Sequence, residues 1–376
     1  MSPIGVDRMG SVADQQADES ILRLENLDTN LALPDGVVGE TRNAVARDRS
    51  NSYLPFFGND DLRSRIGEHC NRRSGLDRDW ERSVILSAGG LSGILNVLLA
   101  LLDEGDEVVV QDPIYIGLLN RIKLAGGVPV FTSFMVTETG FNLDRSSLKQ
   151  CITPRTKAFL MMSPVMPSGA VMTRMDWEAA CAACIEADAW MIYNSAMETY
   201  RFDGAEYYHP AMFPGMDERT ITVGSFSKEF RMIGWRIGWI DAPESLANSI
   251  ALVSISNVVC NVGFSQAGCL AALQEEPGVM AGLVAEMEAR RDLLCSELSG
   301  FGAIKPGGGW SMLVDTSSYA ESATLLSEQL LNRSRIAATP MAGWGRDTTD
   351  RYLRLVFSNE SQRRLTGIRE RFERAI

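Results

Sequence analysis

Histidine is scarce in this sequence: His69 and His209 are the only two among 376 residues. That argues against a His-ligated metal centre and against a histidine-based catalytic triad. Positive charge is also short, with 36 Lys and Arg against 48 Asp and Glu, a net charge of −12. An acidic surface repels phosphate backbones and anionic lipids, so no nucleic acid and no membrane is expected as a partner. Long apolar runs are missing. Gly93–Leu102 is interrupted by Asn96, and Ile250–Cys260 by Ser254, Ser256 and Asn257, short of the roughly 18–20 residues a span needs. The N-terminus carries Asp14, Asp18 and Glu19 and no apolar stretch of the signal-peptide kind. The seven cysteines are odd in number and scattered. Cys181 and Cys184 form a C-x-x-C, but in an Ala-rich helical stretch with no histidine nearby, which reads as packing rather than as a metal or redox site. A reducing cytoplasm is the expected compartment. What remains is ordinary globular composition, 45% apolar, 22% charged and 8% aromatic. The chain is long enough for about two domains and a core that needs no staple.

The first 30 residues are polar, although Ile21–Leu27 has the apolar content to dock. Asn51–Gly58 is rich in turn residues, and a helix follows from Asp60 to Arg73 with Asn59 or Asp60 as its cap. From residue 84 short apolar runs alternate with amphipathic helices. Strands are expected at Val84–Ser87, Glu107–Gln111, Val128–Phe134, Ala158–Met162, Trp190–Tyr193, Thr220–Gly224 and Arg236–Ile240. Helices are expected at Leu91–Leu102, Ile116–Ala125 and Arg174–Ala187. Apolar strands of this length between helices describe a largely parallel sheet covered on both faces. Past residue 280 the texture changes: a charged helix (Val279–Leu298), a strand at Trp310–Asp315, a helix at Ala320–Arg333, a strand near Tyr352–Phe357 and a closing helix from Glu360. The expected organisation is a large domain over 50–280 and a small α+β domain built from 1–49 and 281–376.

Four segments carry chemistry. In Gly224-Ser225-Phe226-Ser227-Lys228, a lysine follows a buried strand, and Arg236 lies eight residues on. Burial disfavours an ammonium group and leaves a nucleophilic amine suited to Schiff-base chemistry. Ser225, Ser227 and Arg236 are donors a phosphate dianion wants; a surface lysine in a loop is the alternative. Ala88-Gly89-Gly90-Leu91-Ser92 lies between a strand and a helix, where glycines let backbone amides approach an anion. Tyr115 follows a strand at the sheet edge where open α/β sheets bind ligands, or simply packs under a loop. Arg354 sits inside an apolar strand and wants a carboxylate, either a substrate's or an internal partner's.

Together these segments resemble the fold-type I pyridoxal-phosphate enzymes, specifically the class I/II aminotransferases, over roughly Asn30 to the C-terminus. The most specific part, Ser225–Gly238, matches the family's S-x-S-K-x-x-x-x-x-G-x-R pattern. The resemblance implies a mostly parallel seven-stranded sheet with helices on both faces, plus a smaller α+β domain. It implies that Lys228 holds pyridoxal 5′-phosphate as a Schiff base. Ser225, Ser227, Arg236 and the amides of Gly90 and Leu91 would hold the phosphate. Tyr115 would stack on the pyridine ring, and Arg354 would clamp the substrate α-carboxylate. Tyr53 resembles the tyrosine that reaches the neighbouring subunit's phosphate, which implies a homodimer with shared active sites. Substrates would be an amino acid and a 2-oxo acid.

Three positions depart from the family. Counting back from Phe202-Asp203-Gly204, Asn194 stands where the family has an aspartate against the ring nitrogen, and Met197 where it has a tyrosine near the phenolic oxygen. In Ser163-Pro164-Val165-Met166-Pro167-Ser168-Gly169, Met166 stands for an asparagine contacting that same oxygen. An amide supplies no charge to a ring nitrogen, whereas a carboxylate keeps it protonated and strongly electron-withdrawing. Expected activities are therefore transamination or, as the alternative, a specialised elimination, replacement or racemisation. A non-catalytic pyridoxal-phosphate binder is the third possibility. No G-x-G-x-x-G follows a first strand, which argues against a Rossmann dehydrogenase.

Overall fold

The computed structural model describes residues 5–275 and 277–376. A helix over Gly5–Gln16 leads into a two-residue strand, β1 (Leu22–Arg23). The chain then forms helices at Val37–Val45 and Asp60–Ser74, the second capped by Asn59, whose side chain accepts from the Leu62 amide. Next come β2 (Val84–Ser87), β3 (Glu107–Asp112), β4 (Val128–Thr137), β5 (Gly140–Leu143), β6 (Thr156–Met162), β7 (Trp190–Asn194), β8 (Thr220–Ser225) and β9 (Gly238–Asp241). These eight strands form one sheet in the order β2-β9-β8-β7-β6-β3-β4-β5. Four adjacent pairs run parallel, from β8 through β7, β6 and β3 to β4. β9 runs antiparallel to both β2 and β8. Seven of these strands make the expected sheet. The eighth, β5, was not read from the sequence; it folds back on the exposed end of β4 through a two-residue loop pairing Thr137 with Gly140.

Alternation along the strands sorts the core. Val108, Val110 and Leu160 pack on one face with Val97 and Leu98 of the helix Gly90–Leu101. Val109, Phe159 and Met161 pack on the other with Trp177 and Cys184 of the helix Arg174–Glu186. Successive side chains of a strand point to opposite faces, so a sheet covered twice needs apolar residues at every position. The C-x-x-C cysteines belong to this packing: both are buried and free.

After the helix Pro277–Glu297, β10 (Ala303–Ile304), β11 (Ser311–Asp315), β12 (Ile336–Ala337), β13 (Thr339–Pro340) and β14 (Tyr352–Val356) follow. β10-β11-β14-β13 form an antiparallel sheet, and β12 pairs in parallel with β1. Leu22 and Leu24 of the N-terminal segment are buried in the same core as Met312, Leu353 and Phe357. The expected docking of Ile21–Leu27 is thus observed, and the preceding helix, with Met9 and Ala13 buried, was not foreseen. The closing helix expected from Glu360 is instead two, Gln362–Leu365 and Ile368–Ala375. Gly367 between them has φ +81°, a left-handed conformation that a continuous helix does not admit.

Candidate active site

The parallel strands β3, β6, β7 and β8 end side by side, and the segment after each delivers one wall of a cavity of about 310 Å³. Its lining includes Gly90, Leu91, Tyr115, Met166, Asn194 and Met197. It also includes Ser225, Ser227, Lys228, Arg236 and Arg354. Of the residues to which the resemblance gives a role at the cofactor or substrate, Tyr53 is absent from this lining; it is 83% exposed.

Lys228 follows β8. Its Nζ donates to the Leu27 carbonyl at 2.6 Å and lies 5.0 Å above the Trp310 ring. Burial pushes the ammonium down to about 7 against a restoring pull from Asp28, and the cations Arg354 and Arg236 add to the fall. The amine therefore gives up its proton far more readily than a lysine in water.

An anion cradle lies beside it. The helix Gly90–Leu101 points its N-terminus, with first-turn amides lacking intrahelical partners, toward Ser225, Ser227 and Arg236. The Arg236 Nη1 donates to Ser227 Oγ at 3.3 Å and to the Ile233 carbonyl at 2.9 Å. Gly89 has φ +86°, and a Cβ there would sit 2.5 Å from Arg236 Nη2. A Cβ on Gly238 would stand 2.7 Å from the Gly90 nitrogen. Both glycines keep the cradle's backbone and guanidinium together. Arg236 is itself left-handed (φ 54°), so β9 starts at Gly238 rather than at Arg236 as the apolar run suggested.

Arg354 lies in mid-β14, opposite Leu313 on β11 and Thr339 on β13. It is 1% exposed. Its Nη2 donates to the Glu25 carbonyl and, at 3.2 Å, to Thr339 Oγ1; its guanidinium lies 4.9 Å over the Trp344 ring. Burial lowers its pKa to about 10, with Tyr115 and Glu25 opposing. Among the described residues no carboxylate pairs with it, and Nε has no hydrogen-bond partner. The internal salt bridge that was the alternative reading is not formed. A buried guanidinium with a spare donor is a receptor for an incoming carboxylate.

Tyr115 precedes the helix Ile116–Leu124, its ring edge-on to Trp344 at 5.4 Å. Asn194 closes β7; its Oδ1 accepts from the Ala196 amide at 3.2 Å. Met197 is buried beside it, and Met166 brings its sulfur 4.0 Å from Arg354 Nη1. Sequence reasoning missed Trp310, Trp344 and the carbonyls of Glu25 and Leu27, because a backbone oxygen carries no signature in its residue type. It also missed a buried ionic network behind the cavity. There Arg73 reaches Glu198 at 2.8 Å and also Glu229, while the hydroxyls of Tyr193 and Tyr207 donate to Glu198 at 3.0 and 2.9 Å.

Compared with known proteins, residues 25–372 match the family described as Aminotransferase class I and II. The chain belongs to that family. It is 32% identical to a probable aspartate/prephenate aminotransferase of Aquifex aeolicus, over 88% of this chain and 84% of that protein. It is 31% identical to an arginine–pyruvate transaminase of Pseudomonas aeruginosa, over 89% and 85% respectively. Aspartate aminotransferase from Thermus thermophilus with maleate superposes with a TM-score of 0.90 at 28% identity, covering 100% of this chain and 97% of that one. The class I and II aminotransferases are pyridoxal-phosphate enzymes, and this one is a pyridoxal-phosphate-dependent aminotransferase acting between amino acids and 2-oxo acids. The site fits the cofactor: a glycine-kept anion cradle, a buried lysine amine whose hold on its proton is weakened and an aromatic ring share one cavity.

Proposed function

We propose that this aminotransferase takes α-amino acids with uncharged, largely apolar side chains, and that Lys228, Arg354 and the cradle residues perform the reaction. The observation that carries the assignment of roles is the pairing, in one cavity, of a buried amine whose ammonium form burial disfavours with a buried guanidinium that meets no carboxylate among the described residues. Bound pyridoxal phosphate would supply an aldehyde that condenses with amines and a ring that accepts electron density from the substrate's α-carbon. Ser225, Ser227, Arg236 and the amides of Gly90 and Leu91 would hold its phosphate, and Tyr115 would cover its ring. Arg354 would bind the substrate carboxylate through a fork of donors and so fix the direction of the α C–H bond. Lys228 Nζ, whose ammonium form burial disfavours, would take the α-proton.

The side-chain preference rests on the remaining walls. Leu27, Ile94, Leu118, Met162, Met166 and Ile233 line the cavity, and among the described residues no Asp or Glu does. A cationic side chain would find no counter-charge there. We assign residues 50–280 to a large cofactor domain and 1–49 with 281–376 to a small one that closes on substrate. We also propose a homodimer in which Tyr53, exposed in the single chain, reaches the phosphate of the neighbouring site. Seven free cysteines suit a reducing cytoplasm.

A donor screen followed by the cofactor's absorbance tests this. Half-reaction with Leu, Met and Phe, and little with Arg or Asp, is expected. Release of ammonia and a 2-oxo acid without an acceptor would instead indicate elimination. Borohydride reduction followed by peptide mass spectrometry should place the cofactor on Lys228; an adduct on another lysine would overturn the assignment.

A further inference from the structure

We infer that Asn194 donates a hydrogen bond to the ring nitrogen of the bound cofactor and holds that nitrogen unprotonated. The inference rests on the reading that pyridoxal phosphate sits between the cradle and Lys228. By residue type alone an asparagine is ambiguous: its carbonyl would accept from a protonated ring, and its amide would donate to a neutral one.

The local geometry removes the ambiguity. Asn194 Oδ1 accepts from the Ala196 backbone amide at 3.2 Å, and a backbone N–H can only donate, so the oxygen side of the group is fixed. Nδ2 lies on the other side of the group, and its one hydrogen-bond partner among the described residues is the Met162 sulfur at 3.9 Å, a weak acceptor. The side chain is 8% exposed and lines the cavity with donor capacity unspent. The ring nitrogen is para to the aldehyde carbon, so a ring joined to Lys228 turns it away from that lysine. Beyond the cradle and the two other cations, Asn194 is the polar side chain lining the cavity that is buried.

Electrostatics act in the same direction. Among the described residues the charged side chains lining the cavity, apart from the Lys228 that would hold the cofactor, are Arg236 and Arg354, both cationic. The acids packed around it are turned elsewhere. Glu198, four residues past Asn194, is taken up by Arg73, Tyr193 and Tyr207. Glu229 pairs with Arg73 and lies near His69, and the Glu25 side chain accepts from Arg23. Asp28 acts on Lys228 and does not line the cavity. Like charges disfavour a further positive charge on the ring. Met166 and Met197, which also line the cavity, bring no donor or charge that reverses this. A neutral ring withdraws less electron density from the substrate α-carbon, so this site accelerates α-proton removal less than one with a carboxylate at the same place.

The test reconstitutes the holoenzyme with cofactor carrying ¹⁵N at the ring and records its ¹⁵N resonance from pH 6 to 9. The expected signal is that of a hydrogen-bonded, unprotonated pyridine that does not titrate. Asn194→Asp should move it to the pyridinium position and raise α-deuterium wash-out from a bound amino acid by about tenfold or more. Asn194→Leu should give an unprotonated pyridine without the hydrogen bond. A pyridinium signal in the unmodified enzyme overturns this inference while leaving the cofactor reading intact. So does a signal that Asn194→Leu fails to move. Labelled cofactor that never becomes immobilised overturns both.

Discussion

Lys228 depends on its neighbours more than on its own chemistry. The same side chain in water keeps its proton to about pH 10; here burial, with Arg354 and Arg236 nearby, brings it to about 7. Two consequences follow with definite sign. The neutral amine is the nucleophile, so uptake of pyridoxal phosphate by cofactor-free enzyme should quicken as pH rises through about 7 and then level off. Stopped-flow absorbance checks this, and a rate still climbing steeply at pH 9 would contradict the burial. The same lysine also costs stability. Between about pH 7 and 10 the unfolded chain binds a proton that the folded chain does not, so stability of the cofactor-free enzyme rises with pH across that window. Arg354 shows the same dependence on surroundings: only in the folded chain is it clear that no carboxylate meets it.

At the scale of elements, the two segments that carry the chemistry are tied together from behind. Met197 is followed by Glu198 and Lys228 by Glu229, and both carboxylates converge on Arg73 at the end of the helix Asp60–Ser74. Burial alone would push the Glu229 carboxyl up, but Arg73 and His69 hold it down at about 2. This network makes Arg73 a positioning residue for both the β7 and β8 segments. Arg73→Leu leaves two buried carboxylates without their cation and should destabilise the fold by about 3 kcal/mol or more, measured by urea denaturation. Arg73→Leu with Glu198→Gln and Glu229→Gln should recover part of that loss, because the unpaired charges are gone. A simple packing role for Arg73 predicts no such recovery. The network was not legible beforehand, since Arg73, Glu198 and Glu229 lie more than a hundred residues apart in the chain for each Arg–Glu pair.

For the whole molecule, the N-terminal segment links the eight-stranded and four-stranded sheets. Leu22 and Leu24 bury in the core of the small sheet, while the carbonyls of Glu25 and Leu27 receive Arg354 and Lys228. The proposed assembly uses a different surface. Tyr53 and Phe56 are exposed on one loop, and Val258 and Val259 are exposed where they line a notch with Phe56. Such a patch is what subunit association covers. Sedimentation should therefore give a dimer, and Tyr53→Phe should weaken cofactor binding several-fold without altering the sedimentation coefficient. A monomer with full activity would exclude the shared site.

What the residue order determined by itself was local. Runs of five or so apolar residues specified buried strands, and Asn59 specified a helix start. Ser225-Phe226-Ser227-Lys228 with Arg236 pointed to phosphate donors beside an amine but left a surface lysine in a loop as the alternative. These depend on neighbours a few positions away, whose spacing the backbone geometry preserves. Only the tertiary structure decided which way Asn194 turns its amide, that Arg354 meets no acidic partner among the described residues, and that Lys228 is desolvated under an N-terminal carbonyl. Each of those is a contact or a missing contact between distant parts of the chain, and its energy comes from burial, which no single segment has until the others pack against it.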